Sequence, residues 1–367
     1  MLLRSRTSAM SVSRMRPATA TESSAGRLVL VTTTGDGAVP DGSDLALVLQ
    51  EHRPHLVGVA YRLTGSVADA EDAVQEAWLR LSGLSERARA EIREPRAWLT
   101  TVVGRVCLDR LRSAAVRRER YVGSWLPEPL VGEVVDEPLD AVVRDDGVRM
   151  AALVVLDRLT PEQRVAFVLH DAFGLPFDEI AAVLGVEVAA ARQHASRGRR
   201  AAAAADPPPR VALAEQREVL GRFVAALAAG DVQAVLSLLH PDALVISDGG
   251  GKARAAINRV VGADRVARFM VGLTLKHGGL DEARPVLVNG DLGLLRRESP
   301  EVSRRITSVV VRDGLVVALY DISNPDKLGH VDFGGTGFDG PDFDGSEVAG
   351  SEVAETEVAE TEVAGAG

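Results

Sequence analysis

The chain has a single cysteine, Cys107, among 367 residues. One thiol excludes an intrachain disulfide and a cysteine-rich zinc site, and it suits a reducing compartment. Aromatic residues are only 4% of the chain, so its cores must be built from leucine, valine and alanine. No apolar run approaches the roughly 18 residues that span a bilayer. The first 40 residues carry Arg4, Arg6, Arg14 and Arg16 but no apolar segment of the kind that a secretory signal needs. They read as a disordered extension, with Met10 and Met15 as alternative starts.

Positive charge is also short overall. The net charge is −10, which argues at first against a nucleic-acid partner. From Val331 onward, however, there are ten acids and no lysine or arginine, so the tail accounts for the whole excess. That tail includes four tandem pentapeptides over residues 346–365 (SEVAG, SEVAE, TEVAE, TEVAG). Five is the period of neither helix nor strand, and 331–367 reads as a disordered acidic tail.

Between these ends three blocks are visible. Helical spacing predicts a helix over 44–64, interrupted or kinked by Pro54, and a second from Ser66 as N-cap to Leu84. After a polar loop over 85–94, a third opens at Pro95. Residues 116–146, with a proline-rich piece at Ser124–Pro129, read as a linker. The second block, 147–204, has a helix start at Thr160-Pro161, a break at Gly174-Leu175-Pro176, a short helix, a turn at Gly185 and a longer helix. Asp206 and three prolines close it. The third block, 212–330, begins with helices and continues with strands, with hairpin chemistry at Asn289-Gly290-Asp291 and Arg312-Asp313-Gly314. This order predicts an α+β domain.

The sharpest local signal lies in residues 175–200. Helix, glycine turn, helix is the layout of a helix-turn-helix. On its second helix Arg192, Gln193, Ser196, Arg197, Arg199 and Arg200 are left for the outer face and the C-terminal end. Arginine reads guanine edges and glutamine reads adenine, while the remaining cations neutralise phosphates. The alternative is a solvated basic helix in an α-hairpin. A second basic cluster comprises Arg105, Arg110, Arg112, Arg117, Arg118 and Arg120, with Trp98 nearby. Charge beside an aromatic suits single-stranded DNA, although a core position is the preferred reading of Trp98. Asp69, Asp72, Gln75 and Glu76 share one face of the second helix, a pattern usually just solvated.

Taken together, residues 69–78 (DAEDAVQEAW), 95–112 (PRAWLTTVVGRVCLDRLR) and the helix-turn-helix resemble, in order, the two domains of extracytoplasmic-function sigma factors. The resemblance covers about residues 44–203. It implies two all-α domains, 41–115 (sigma region 2) and 147–204 (sigma region 4). It implies that Asp69, Asp72, Gln75 and Glu76 meet the clamp helices of the polymerase β′ subunit, with the β flap as a further contact. It also implies that Arg96, Trp98, Arg105 and Arg112 serve the −10 element, melted DNA included, and that the 187–200 helix reads the −35 element in duplex DNA.

A narrower resemblance rests on Trp125-Leu126-Pro127-Glu128-Pro129, Asp248-Gly249-Gly250-Gly251-Lys252 and Asn324-Pro325-Asp326-Lys327-Leu328. These look like the signatures of the sigma-factor group with a fused SnoaL-like (NTF2-like, cone-shaped) domain. The likeness implies that residues 212–330 contact the sigma core and tune its activity. His194 and Gly198 depart from what a recognition helix should carry, since glycine costs about 1 kcal/mol against alanine there.

No metal, cofactor or catalytic step is expected. His240, Asp242, Asp248, His277 and Asp321 are available in the third domain, but no pair has a spacing that demands acid–base chemistry. Asp248-Gly-Gly-Gly-Lys lacks the spacing of a phosphate loop. A small ligand in this domain is a candidate partner, with no residue to name it. The leading expectation is a cytoplasmic promoter-specificity factor. The runner-up is a stand-alone helix-turn-helix regulator with a ligand-sensing domain. A SnoaL-type enzyme tethered to DNA is a third reading.

Overall fold

The computed structural model describes residues 42–118, 121–132, 148–278, 280, 283–300 and 302–334. The expected N-terminal disorder lies outside them, as does the acidic tail beyond residue 334.

Four helices form the first block: α1 (Gly42–Thr64), α2 (Val67–Ser82), α3 (Glu86–Ala90) and α4 (Pro95–Arg118). Pro54 lies inside α1, which is one helix throughout. The Ser66 hydroxyl caps α2 by accepting from the Asp69 amide at 3.2 Å. The segment 85–94 is not only loop, because Ser85 caps the short α3.

The second block comprises α5 (Met150–Leu156), α6 (Pro161–Phe167), a π-helical turn at Val168–Ala172, α7 (Phe177–Leu184) and α8 (Val188–Ala205). Thr160 and Gln163 form a capping box at α6. Gly185 ends α7 in the left-handed conformation at φ 68°, where a Cβ is disfavoured. Gly198 has a structural reason. It is buried in α8, and a Cβ there would lie 2.8 Å from Phe167 Cβ and 3.0 Å from the Gln163 carbonyl oxygen. The glycine is what lets α8 approach α6. Gly198→Ala is therefore expected to lower stability by about 1–3 kcal/mol, despite alanine's better helix propensity. A chemical-denaturation midpoint checks the sign.

The third block contributes α9 (Leu213–Ala228), α10 (Val232–Ser237), α11 (Ala263–His277) and most of a seven-stranded sheet. Its strands are β1 (Val131–Gly132), β2 (Leu239–Asp248), β3 (Val260–Val261), β4 (Ala283–Val288), β5 (Asp291–Arg296), β6 (Arg305–Arg312) and β7 (Leu315–Ile322), in the spatial order β1-β4-β5-β6-β7-β2-β3. Neighbours are antiparallel except β2 and β7, which run parallel. The first strand comes from the linker, so those residues also extend the sheet of the third block.

Side chains alternate across the sheet. Val309 and Leu319 face α9 and α11, while Ile306, Val310, Tyr320 and Ile322 face α5 and Leu126 of the linker. The helices of the first two blocks likewise share one core, in which Leu99 and Val103 join Leu169, Ile180 and Val183. Gly104 lies at this junction, with the Leu169 and Val183 side chains 3.2 and 3.4 Å from where its Cβ would be.

Candidate nucleic-acid interface and the contacts that hold it

Helix α8 carries its polar side chains outward because Ala191, Ala195 and Gly198 face inward. Arg192, Gln193, Ser196, Arg197, Arg199 and Arg200 are all exposed. Five of them line one shallow concavity, and the sixth, Arg199, turns away to Asp171 at 2.6 Å. Arg192 lies over the Phe177 ring at 5.6 Å. The outer face thus presents three arginines, a glutamine and a serine at spacings of one helical turn, the donor set that base edges and phosphates require.

The other predicted DNA contacts are differently placed. Arg112 bonds Glu162 of α6 at 3.1 Å, and Arg105 donates to the Ala182 carbonyl of α7 at 3.0 Å. Thr101 meets Glu179 of α7 at 3.5 Å. In this arrangement two of the four are turned to the second block. Trp98 is half-buried against the shared core. The side chains of Arg117 and Arg118, and all of Arg120, lie outside the described residues.

Arg96 is exposed and donates to His55 Nδ1 at 2.9 Å. That bond requires a bare Nδ1, so Nε2 carries the proton and donates to Thr100 Oγ1 at 3.0 Å. Burial, then Arg96, His52 and Arg62, lowers the His55 pKa to about 4. The unfolded chain takes up this proton near pH 6.5 and the native chain does not. Stability is therefore lost as pH falls from 6.5 towards 4. The ring meets Phe173 of the second block edge-on at 5.2 Å, so the loss falls on the junction between the blocks. Denaturation midpoints against pH check this, and His55→Gln is expected to flatten the slope.

On α2, Asp69 and Asp72 both face Arg110, at 2.7 and 3.4 Å, so this pair does not form an unpaired acidic face. Glu76 pairs with Arg80, while Gln75 is exposed. Leu79, 61% exposed, lies one turn beyond Gln75 and Glu76 and adds an apolar point.

The linker motif is wedged between the first block and the third domain. On one side, the Glu128 amide donates to the Gly65 carbonyl at 2.8 Å, and its carboxylate accepts from the Val67 amide at 2.7 Å, at the N-terminus of α2. The Glu128 carbonyl accepts from the Tyr61 hydroxyl at 2.6 Å. Trp125 and Pro127 lie against Gly65. On the other side, buried Leu126 bonds Asp248 through its amide at 2.8 Å and Lys327 through its carbonyl. The Pro129 carbonyl accepts from His330 at 2.8 Å.

Asp248 is the hub of the far side and is fully buried. It binds Lys327 at 2.7 Å, the Tyr121 hydroxyl at 2.5 Å and the Gly250 amide at 3.1 Å. Lys327 lies 4.0 Å from the centroid of the Trp125 ring, a cation–π contact. Burial, then the bond to Asp248, raises the Tyr121 pKa, which keeps its hydroxyl a donor. The glycines admit close neighbours. A Cβ at Gly250 would strike the Asn324 side chain, and one at Gly251 would press on Val122 of the linker. Gly249 turns against the Ala253 carbonyl. Lys252 pairs with Asp326 at 2.6 Å, Asn324 caps the turn Pro325–Lys327, and Leu328 is buried.

In the sequence Asn289 stands out only as a turn residue. It is fully buried at φ 54°. Its Nδ2 donates to Tyr61 Oη at 2.9 Å and to the Val148 carbonyl at 2.7 Å, and its Oδ1 accepts from the Leu130 amide at 3.1 Å. One side chain thus joins the first block, the linker, the entry to the second block and the third domain. Next to it, Arg149 pairs with buried Asp291 at 2.7 Å. Nothing local in the sequence marks either contact.

Models of known families match at two places: Sigma-70 region 2 over residues 48–117 and Sigma-70, region 4 over residues 149–201. Over 290 residues the chain is 54% identical to the ECF RNA polymerase sigma factor SigJ of Mycobacterium tuberculosis, covering 75% of this chain and 90% of that one. The chain belongs to the extracytoplasmic-function sigma factors. The probable sigma factor SigI of the same organism is 40% identical over 217 residues, 59% of this chain and 72% of the relative. The crystal structure of SigJ superposes with a TM-score of 0.66 at 49% identity, covering 77% of this chain and 98% of that one. This sigma factor therefore has two helical sigma domains and a fused α+β domain of the SnoaL/NTF2-like kind. Among the described residues no helix is long and apolar enough to cross a membrane.

Proposed function

We propose that this sigma factor docks on core RNA polymerase and directs initiation at specific promoters, and that the arrangement described above is its resting state. It acts by binding, in the cytoplasm, with no catalytic step of its own. Arg192, Gln193, Ser196, Arg197 and Arg200 read and grip the −35 element. Arg96, Trp98, Arg105 and Arg112 engage the −10 element, and Gln75, Glu76 and Leu79, with Asp69 and Asp72, form the polymerase-facing side of α2.

The observation that carries the resting-state reading is the bonding of Arg105 and Arg112 to α7 and α6. The two promoter elements lie about 25 base pairs apart, roughly 85 Å of duplex. Domains of this size, packed core to core, do not span that distance. The linker between α4 and α5 has about 30 residues and reaches at most roughly 100 Å when extended. It is long enough, but residues 121–132 are bonded to the third domain. Releasing that linker is what allows the sigma domains to part, and this gives the fused domain its regulatory role.

The test is run-off transcription by core polymerase on a promoter library, comparing the native chain with Glu128→Ala, which loosens the wedge from α2. Promoter-dependent transcripts that increase in the variant support the reading. DNA binding that ignores polymerase, with no transcript from either protein, favours a stand-alone regulator.

A further inference from the structure

Helix α8 contains four arginines and no aspartate or glutamate. Among the described residues only Arg199 of the four has a carboxylate partner, Asp171. Arg192, Arg197 and Arg200 thus bring uncompensated positive charge to one exposed, shallow face, with Gln193 and Ser196 between them. Such a face attracts any anion held near it.

The same chain carries one. Residues 335–367 hold nine acids and no lysine or arginine, and six of the acids are glutamates within 347–362. The fold sets the distance between the two. Phe333 lies against the Arg304 guanidinium at 5.6 Å, just before β6. Beyond the other end of β6, Arg312 pairs at 3.0 Å with Asp206, the residue that closes α8. The strand from Arg304 to Arg312 spans about 27 Å. Arg192 is about 21 Å from Asp206 along the helix. The path along these elements is therefore about 50 Å, whereas the chain from Phe333 to Glu362 extends to about 100 Å. The glutamates reach every arginine of the face.

We propose that residues 347–362 dock on the outer face of α8 when DNA is absent, their carboxylates standing where phosphates stand in the complex. Both groups accept from the same guanidinium fork. The docking rests on charge and reach alone, and the competition with DNA rests on the reading of α8 as the −35 helix. A tethered segment acts at an effective concentration on the order of millimolar. Weak docking is then enough to mask the face against non-specific duplex.

The test uses the full chain with Arg197→Lys, which places an amine on a face that has none. The chain's own lysines are three: Lys327 is buried, Lys252 pairs with Asp326, and Lys276 is exposed on α11 and serves as the control. Carbodiimide couples an amine to a touching carboxylate, and trypsin leaves residues 328–367 as one peptide because no lysine or arginine follows Lys327. In the monomer, coupling of that peptide to the new amine is expected to exceed coupling to Lys276 by about fivefold. It should fall away at about 0.5 M salt, where the Debye length is roughly 4 Å, and saturating duplex DNA should suppress it. Glu→Gln at 352, 355, 357, 360 and 362 should tighten duplex binding by about tenfold at low salt. No coupling at the new amine, equal coupling at Lys276, or coupling only between two chains would overturn the docking and leave a tail that acts through its charge in solution. Coupling that saturating duplex leaves unchanged, or duplex affinity unmoved by the glutamine tail, would overturn the competition. Coupling needs no DNA, so it is independent of the −35 reading, which Arg197→Gln tests separately through its own loss of duplex affinity.

Discussion

Asp248→Ala is expected to destabilise the protein by about 3–5 kcal/mol, the cost of leaving a buried cation without its counter-charge. Lys327 is 7% exposed at its side chain, and Asp248 not at all. The substitution also leaves the Leu126 amide without its acceptor and frees the Tyr121 hydroxyl. The first effect should be loss of the linker, because residues 121–126 are tied to the third domain through this carboxylate. Urea unfolding followed by tryptophan fluorescence reads it, since Trp125 lies against Lys327. Limited proteolysis should cut the linker faster than in the native chain. Replacing both partners, as Asp248→Leu with Lys327→Met, should cost less than the single change, because no uncompensated charge stays buried. An unchanged midpoint in the single variant would remove Asp248 from its place as the hub.

Asn289 makes the second large prediction. Asn289→Gly keeps the positive φ easy and removes only the side chain. It leaves the Val148 carbonyl and the Leu130 amide each short of a buried bond, and the Tyr61 hydroxyl without its donor, for a loss of about 3 kcal/mol. Asn289→Ala should be worse than glycine by roughly a further 1 kcal/mol, since alanine resists the left-handed conformation. The order of the two variants is the diagnostic feature. If alanine equals glycine, the turn does not hold its conformation in solution. If neither changes the unfolding midpoint, this residue does not join the domains.

Cys107 has a smaller, cleaner consequence. It is fully buried, and burial pushes its thiol up to about 12. The native protein should resist thiol reagents at neutral pH and react only as it unfolds.

What could be read in the sequence was local. Ser66, Thr160 and Gly185 act within one turn of their own helices, so their caps and stops are written in a few adjacent residues. The outward set on α8 followed from the same periodicity. What escaped was long-range. A two-residue strand such as Val131–Gly132 has no period to detect, and its partner is β4, far along the chain. The parallel pairing of β2 with β7 is equally invisible to hairpin chemistry. Gly198 looked like a defect because helix propensity is a local property, whereas its reason lies on α6. Arg105 and Arg112 carried the right charge for DNA, but composition cannot show that Ala182 and Glu162 hold them here. The linker motif was legible through resemblance, whereas its two-sided wedge needed coordinates.

In the proposed function, regions 2 and 4 separate before this sigma factor works. Thr101 and Glu179 face each other across the junction and belong to neither DNA-contacting set. Thr101→Cys with Glu179→Cys supplies two thiols beside an inert Cys107, and a short cleavable bismaleimide can join them. The measurement is run-off transcription by core polymerase with the joined protein, before and after the linker is cleaved. No promoter-dependent transcript is expected while the bridge is intact, and transcription should recover once it is cut. Full transcription from the bridged protein would contradict it.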